Sequence, residues 1–210
     1  MSMPRSKEDW DSSERIHSNV HQATVDHFKA RPWTRSTLED PAFRIVSMSR
    51  EVTHGGGGHT LMGRTWNTDT TIQHLLSLYR PSTAADSSSL PHSESERAEV
   101  RRFYTFGKDL NAHPNLLHGG VISCILDSTL GGVVGMALSQ TAETSAMFTV
   151  QLNVSYKKPI RTPSTVLLRS WVTKAEDGGR KVWAMGVVEG ESGVVHAVAK
   201  GMWLGAKGKL

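Results

Sequence analysis

His113-Pro114-Asn115-Leu116-Leu117-His118-Gly119-Gly120-Val121-Ile122-Ser123-Cys124-Ile125-Leu126-Asp127 runs on without a break to Leu138. From about Gly119 to Leu138 the stretch is apolar on nearly every side of a helix, so a helix formed there needs cover on nearly every side. Gly131, Gly132 and Gly135 lower helix propensity but let neighbouring backbone approach closely. The apolar run from Leu116 to Leu138 has the length of a membrane span. His118 and Asp127 interrupt it, glycines lie within it and no basic flank adjoins it, so a buried helix is the expectation.

The flanking sequence supplies the cover. Val100, Arg102, Tyr104 and Phe106 alternate with Arg101, Phe103 and Thr105, which reads as a strand. After the helix, Phe148, Val150, Leu152, Val154 and Tyr156 alternate with Thr149, Gln151, Asn153 and Ser155, the period of a half-buried strand. Three more strands are expected at about 165–175, 181–189 and 194–204. The short glycine-bearing links at 176–179 and 190–193 suit hairpins between antiparallel neighbours. The order of strand, long helix and four strands predicts an α+β architecture, one antiparallel sheet curled around a central helix.

The first half is less regular. Val20, Ala23, Val25 and Phe28 suit an amphipathic helix over 18–31 ended by Pro32, with Trp33 and Leu38 packing onto the main domain. An apolar segment from Phe43 to Val52 leads into His54 and Gly55 to Gly58. That glycine run reads as a loop, because no Lys-Ser or Lys-Thr pair follows it as phosphate cradling requires. Ile72, Leu75, Leu76 and Tyr79 stand at helical spacing, so a second short helix is predicted over 71–79, capped by Thr68 or Asp69. Residues 81–96 are rich in Ser, Pro and acids and lack an apolar pattern. The chain therefore divides into an N-terminal extension, 1–97, with short helices and a flexible Ser-rich linker (81–97), and a main domain, 98–210.

Composition narrows the function classes. The chain has 210 residues, 24 Lys and Arg against 20 Asp and Glu, and a net charge of +4. The basic residues are scattered, which argues against a nucleic-acid partner and suits a small polyanion equally well. The single cysteine, Cys124, excludes an intramolecular disulfide, and residues 1–14 lack an apolar signal core. A cytoplasmic protein is expected. The C-terminal Gly208-Lys209-Leu210 only approximates a peroxisomal address.

An acid inside an apolar helix is costly unless it is paired, hydrogen-bonded or functional, and Asp127 is such an acid. The helix begins at a loop carrying His118, Gly119 and Gly120, whose backbone N–H groups can stabilise an oxyanion. Thioester hydrolysis needs both elements: donors for the carbonyl oxygen and a base or nucleophile for the carbonyl carbon. His118 and Asp127 lie nine positions apart, roughly 13 Å along a helix, so one carbonyl cannot touch both. A shared site requires a second copy whose helix runs antiparallel beside the first. Cys124 reads as core packing or a thiol nucleophile, and the lack of a spaced His partner favours packing. His54, His59 and His74 show no metal-ligand pattern, and neither metal nor cofactor is expected. Lys157 and Lys158 either meet substrate phosphates or are solvated strand-end lysines.

These residues resemble the hotdog-fold thioesterase superfamily, particularly its phenylacetate-pathway-like and acyl-CoA thioesterase-like members. The resemblance covers about Val100 to Leu204. It is carried by His118-Gly119-Gly120 followed by Asp127, by Thr149-Val150-Gln151-Leu152-Asn153-Val154-Ser155-Tyr156 and by Pro159. The segments around Arg31-Pro32-Trp33 and Asn67 to Ile72 resemble extensions on fungal members. The resemblance implies a hotdog fold and an acyl-CoA thioesterase acting in lipid metabolism as a homodimer or dimer of dimers. It implies that the Gly119 N–H polarises the carbonyl, that the partner's Asp127 activates water or attacks directly, and that Thr149 holds the water. Asn111 is the candidate for an Asn that the family often places before the motif His. Gly120, Lys157 and Lys158 are candidate substrate-binding residues, and His118 either caps the loop or orients substrate. Where the family frequently has Glu after the helix Asp, this chain has Ser128. Three rivals remain: hydrolysis of a carrier-protein-bound acyl or polyketide chain, a non-catalytic acyl-binding protein, and a hotdog dehydratase, whose His before a Gly-His-Phe stretch is missing.

Overall fold

A computed structural model describes residues 22–46, 50, 52, 54–83, 94, 96–138 and 146–206. Two short helices, α1 (Gln22–Lys29) and α2 (Pro32–Leu38), precede strands β1 (Arg44–Val46), β2 (Ile72–Arg80) and β3 (Glu99–Phe106). A small hairpin, β4 (Asn111–His113) and β5 (Leu116–Leu117), leads into the long helix α3 (Gly119–Leu138). Strands β6 (Met147–Tyr156), β7 (Ser164–Glu176), β8 (Lys181–Glu189) and β9 (Val195–Gly205) complete the chain. Seven strands form one sheet in the order β1-β2-β3-β7-β8-β9-β6, and every neighbouring pair is antiparallel.

The sheet curls around α3, as the apolar circumference of that helix requires. Ile125, Leu126, Leu130, Val133 and Val134 of α3 are buried among Val100, Tyr104, Phe106, Val166, Leu168, Val188 and Trp203 of the strands. Gly186 of β8 is a point of close approach, because a Cβ there would collide with the Leu130 side chain. The helix has the length and hydropathy of a membrane span, but ten of its residues are buried, and its cover is this sheet.

Three expectations need correction. Residues 72–80 form a strand, not a helix. A register shift between Ile72 and His74 puts Ile72 and Leu75, three apart, on the same inner face, which imitates helical spacing. Leu76 and Leu78 on the outer face are buried as well, against α1 and α2, so the strand lacks the polar alternation that would have identified it. The proposed division at 97/98 consequently falls between two paired strands, since β2 pairs with β3 along its length.

Pro32 does not simply end the first helix. It occupies the first turn of α2, where its missing N–H has no helical partner to lose. Residues 18–21 of the expected helix lie outside the described residues, as do 84–93 and 95 of the expected linker. The described ends of that linker are tied together: Thr83 N–H donates to Glu96 O at 2.9 Å, and Arg97 lies over the Trp171 ring at 3.8 Å. On the outer face Phe28, Phe103, Leu76, Leu78 and Leu167 form a second core against which Trp33 and Leu38 pack. Burying Phe28 and Phe103 stabilises the docked helices by about 2 kcal/mol each.

The strand after the helix is the third correction. β6 is paired on one side only, at the sheet edge, and Phe148, Val150 and Tyr156 are 50%, 53% and 53% exposed. Strict alternation is also broken, because β6 shifts register between Thr149 and Gln151.

Candidate functional site

The start of α3 is built around its two glycines. His118 N–H donates to Leu110 O at 2.8 Å, and the Val121 and Ile122 N–H groups donate to His118 O. Gly120 N–H donates to His118 Nδ1 at 2.8 Å, so the His118 ring caps the helix. A Cβ on Gly120 would stand 2.9 Å from that Nδ1, which explains why glycine follows there. With those donors assigned, the N–H of Gly119 has no partner among the described residues. A Cβ on Gly119 would meet Tyr156 only at ordinary contact, 3.6 Å, so crowding within the chain does not require glycine at that position.

Tyr156 closes the other side. Its hydroxyl donates to Gly119 O at 3.0 Å and lies 2.6 Å from Ser123 Oγ. In the sequence Tyr156 reads only as a buried-face strand residue, evenly spaced from Leu152 and Val154, and nothing there signals its contact with Gly119.

Two turns further along, Thr149 Oγ1 donates to Asp127 Oδ1 at 2.8 Å. The register shift makes this bond. Thr149 pairs with Trp203, whereas Leu152 and Val154 pair with Gly201 and Ala199, so one extra residue at the bulge turns Thr149 inward beside residues from which strict alternation would separate it. Ser128, next to the acid, accepts from Nη1 of the buried Arg102 at 2.8 Å. Arg102 was placed on its strand in the sequence but not linked to the helix.

Asn111 lies across the hairpin from Leu117, and its Oδ1 accepts from Thr162 Oγ1 at 2.7 Å. Lys157 and Lys158 are exposed, and their backbone N–H groups both donate to His196 O. Cys124 lies one turn before Asp127, and its thiol is pushed up by burial and then by the Asp127 charge. A thiolate is therefore disfavoured. Cys124→Ala is expected to keep turnover within about twofold in a thiol-release assay, as a packing residue should; loss of turnover would restore the thiol to the chemistry. Among the described residues no His, Cys, Asp and Glu group is arranged to hold a metal ion.

Gly119 and Asp127 thus stand on one helix, eight residues or about 12 Å apart, with a free donor at one position and a hydrogen-bonded carboxylate at the other. Residues 114–178, which contain both, match the family model described as thioesterase superfamily. The matched stretch is less than a third of the chain. It takes in α3, β6 and all of β7, and the sheet that completes it is the hotdog architecture. Verlamelin biosynthesis protein B of a Lecanicillium species is 22% identical over 87% of this chain and 88% of its own length. Acyl-coenzyme A thioesterase THEM4 of Rattus norvegicus is 32% identical over 51% of this chain and 44% of its own length, so this chain aligns with less than half of that relative. Among solved structures, the Escherichia coli PaaI protein from the phenylacetic acid degradation operon is 14% identical with a TM-score of 0.45, covering 53% of this chain and 75% of its own.

Proposed function

We propose that the protein hydrolyses acyl thioesters, with acyl-CoA as the substrate class, at a site shared between two copies. The observation that carries this reading is the Thr149–Asp127 hydrogen bond on the same helix as the unpartnered Gly119 N–H. The thioester oxygen sits at Gly119 of one protomer, and Asp127 of the other removes a proton from the attacking water. Water oxygen bonds to the carbonyl carbon, the oxyanion accepts from the Gly119 N–H, and collapse breaks the C–S bond. The sulfur leaves with the proton that Asp127 took. Thr149 holds the carboxylate in place, and Asn111 fixes the hairpin that leads to His118 by holding Thr162.

Support for the second copy comes from the surface that one chain leaves open. Between Val121 and Met136 the positions of α3 that are not fully buried are Ser123, Cys124, Asp127, Ser128, Gly131 and Gly135, and all but Asp127 are small. Beside them, the free edge of β6 carries exposed Phe148 and Val150. Two such helices packed antiparallel would bring each Asp127 toward the other's Gly119. Light scattering should give at least a dimer. The companion assay is thiol release over a series of acyl-CoA chain lengths. A fully active monomer would overturn the shared site, and no release at any length would overturn the activity.

A second reading keeps the chemistry and changes the carrier. One relative, aligned along 87% of the chain, is a biosynthesis protein, which suits hydrolysis of an acyl or polyketide chain held on a carrier protein.

A further inference from the structure

Outside the sheet, at the end where α3 begins, lies a cavity of about 780 Å³ between the N-terminal helices and the main sheet. Arg31 and Trp33 come from the extension, Arg161 from the segment joining β6 to β7, and Glu191 and His196 from the β8–β9 connection and the start of β9. None of these residues belongs to the site described above.

The lining has the chemistry of an anion site with a flat apolar wall. Arg31 Nη1 donates to His27 O at 2.7 Å, and neither Arg31 nor Arg161 has a carboxylate partner among the described residues. The lining thus holds two arginines and one acidic residue, Glu191. His27, also in the wall, is held down to about 4 by burial and by the neighbouring His74 and Arg31, so it adds no charge at neutral pH. Trp33 packs edge-on against Phe103, centroids 5.9 Å apart, and remains half-buried. Guanidinium groups pair with phosphates in bidentate fashion, and an aromatic face stacks a planar base.

The cavity and the Gly119 site share one wall. The segment after Tyr156 runs through Lys157 and Lys158 to Pro159, Ile160, Arg161 and Pro163, which line the cavity, while the same segment binds the hairpin below His118. Leu117 N–H donates to Ile160 O at 3.0 Å, and Thr162 N–H donates to Asn115 O at 3.1 Å. From Tyr156 to Pro159 is three residues, at most about 11 Å of extended chain. A substrate with its thioester at Gly119 and a long flexible arm crossing this segment would deliver its far end into the cavity.

We propose that this cavity receives the phosphorylated adenosine end of coenzyme A, so that the N-terminal extension selects CoA esters over chains carried on a protein. The proposal rests on the thioesterase reading. A carrier protein presents the phosphopantetheine arm without the adenosine base and its 3′-phosphate, and the cavity would then have only one phosphodiester, and no base, to hold.

The test uses the full chain and two substrates with the same acyl group, an acyl-CoA and an acyl N-acetylcysteamine thioester. Adenosine 3′,5′-bisphosphate is titrated calorimetrically, and is then used as a competitor of hydrolysis. It is expected to bind and to compete with the CoA ester alone. Arg31→Gln and Arg161→Gln should each raise KM for the CoA ester about tenfold at unchanged kcat, and leave the short ester unaffected. Arg31→Lys should retain most of the nucleotide binding, since it keeps the charge. Failure of the wild type to bind the bisphosphate, equal losses on both esters, or Arg31→Lys behaving as Arg31→Gln would overturn the cavity assignment. Nucleotide binding without hydrolysis of either ester would sustain the cavity and remove the thioesterase reading.

Discussion

Asp127→Asn is expected to lower kcat for thioester hydrolysis by about 10²- to 10⁴-fold, the range a general base contributes, while assembly and melting temperature stay as in the wild type. The substitution isolates proton acceptance because the amide keeps the shape of the carboxylate. Its oxygen can still accept from Thr149, which donates to Asp127 Oδ1 at 2.8 Å. The half-buried carboxylate touches no cation among the described ion pairs, so its loss breaks no salt bridge. Thiol release measured alongside light scattering separates the outcomes: equal turnover at equal assembly would take Asp127 out of the mechanism.

The long helix, from about Gly119 to Leu138, was legible because its apolar circumference admits only one kind of environment. The four strands after it were legible from alternation and glycine-bearing turns. β2 was not, because a bulge gave Ile72 and Leu75 helical spacing and a second core buried its other face. The same kind of irregularity affected the candidate site. Alternation along β6 sends Thr149 away from the face that carries Leu152 and Val154, and only the shift at Val150 returns it to Asp127. Bulges leave no reliable mark in a single sequence, since one extra residue changes side-chain direction without changing composition. The capping role of His118 was open in the sequence because a His before two glycines suits either use. The bond from Gly120 N–H to Nδ1 shows the ring used as a cap.

Glu99→Gln should cost about 3 kcal/mol of stability, the lower end of what breaking a buried charge pair removes, and lower the thermal midpoint accordingly. Glu99 is fully buried on β3, and its two oxygens accept from Arg80 at 2.9 Å, Arg101 at 2.8 Å and Arg169 at 2.8 Å. An amide keeps one acceptor oxygen but turns an N–H₂ toward a guanidinium, so at least one arginine loses its bond to residue 99. The three guanidinium groups are 12–22% exposed, and water reaching them holds the cost near the lower end. Burial alone would raise the Glu99 carboxyl; the hydrogen bonds and charges of Arg169 and Arg101 outweigh it and hold the group below its ordinary value. A depressed carboxylate contributes stability that is complete above its unfolded pKa, about 4.3, and is lost as pH falls through the lower folded value. Urea unfolding followed from pH 7 downward should therefore show the wild type converging on Glu99→Gln under acid conditions. A difference between the two that stays constant below pH 4 would mean that packing, not the arginine cluster, accounts for the loss. Because the cluster ties β2, β3 and β7 together beside the docked extension, the same measurement reports whether charge or apolar burial holds that edge of the sheet.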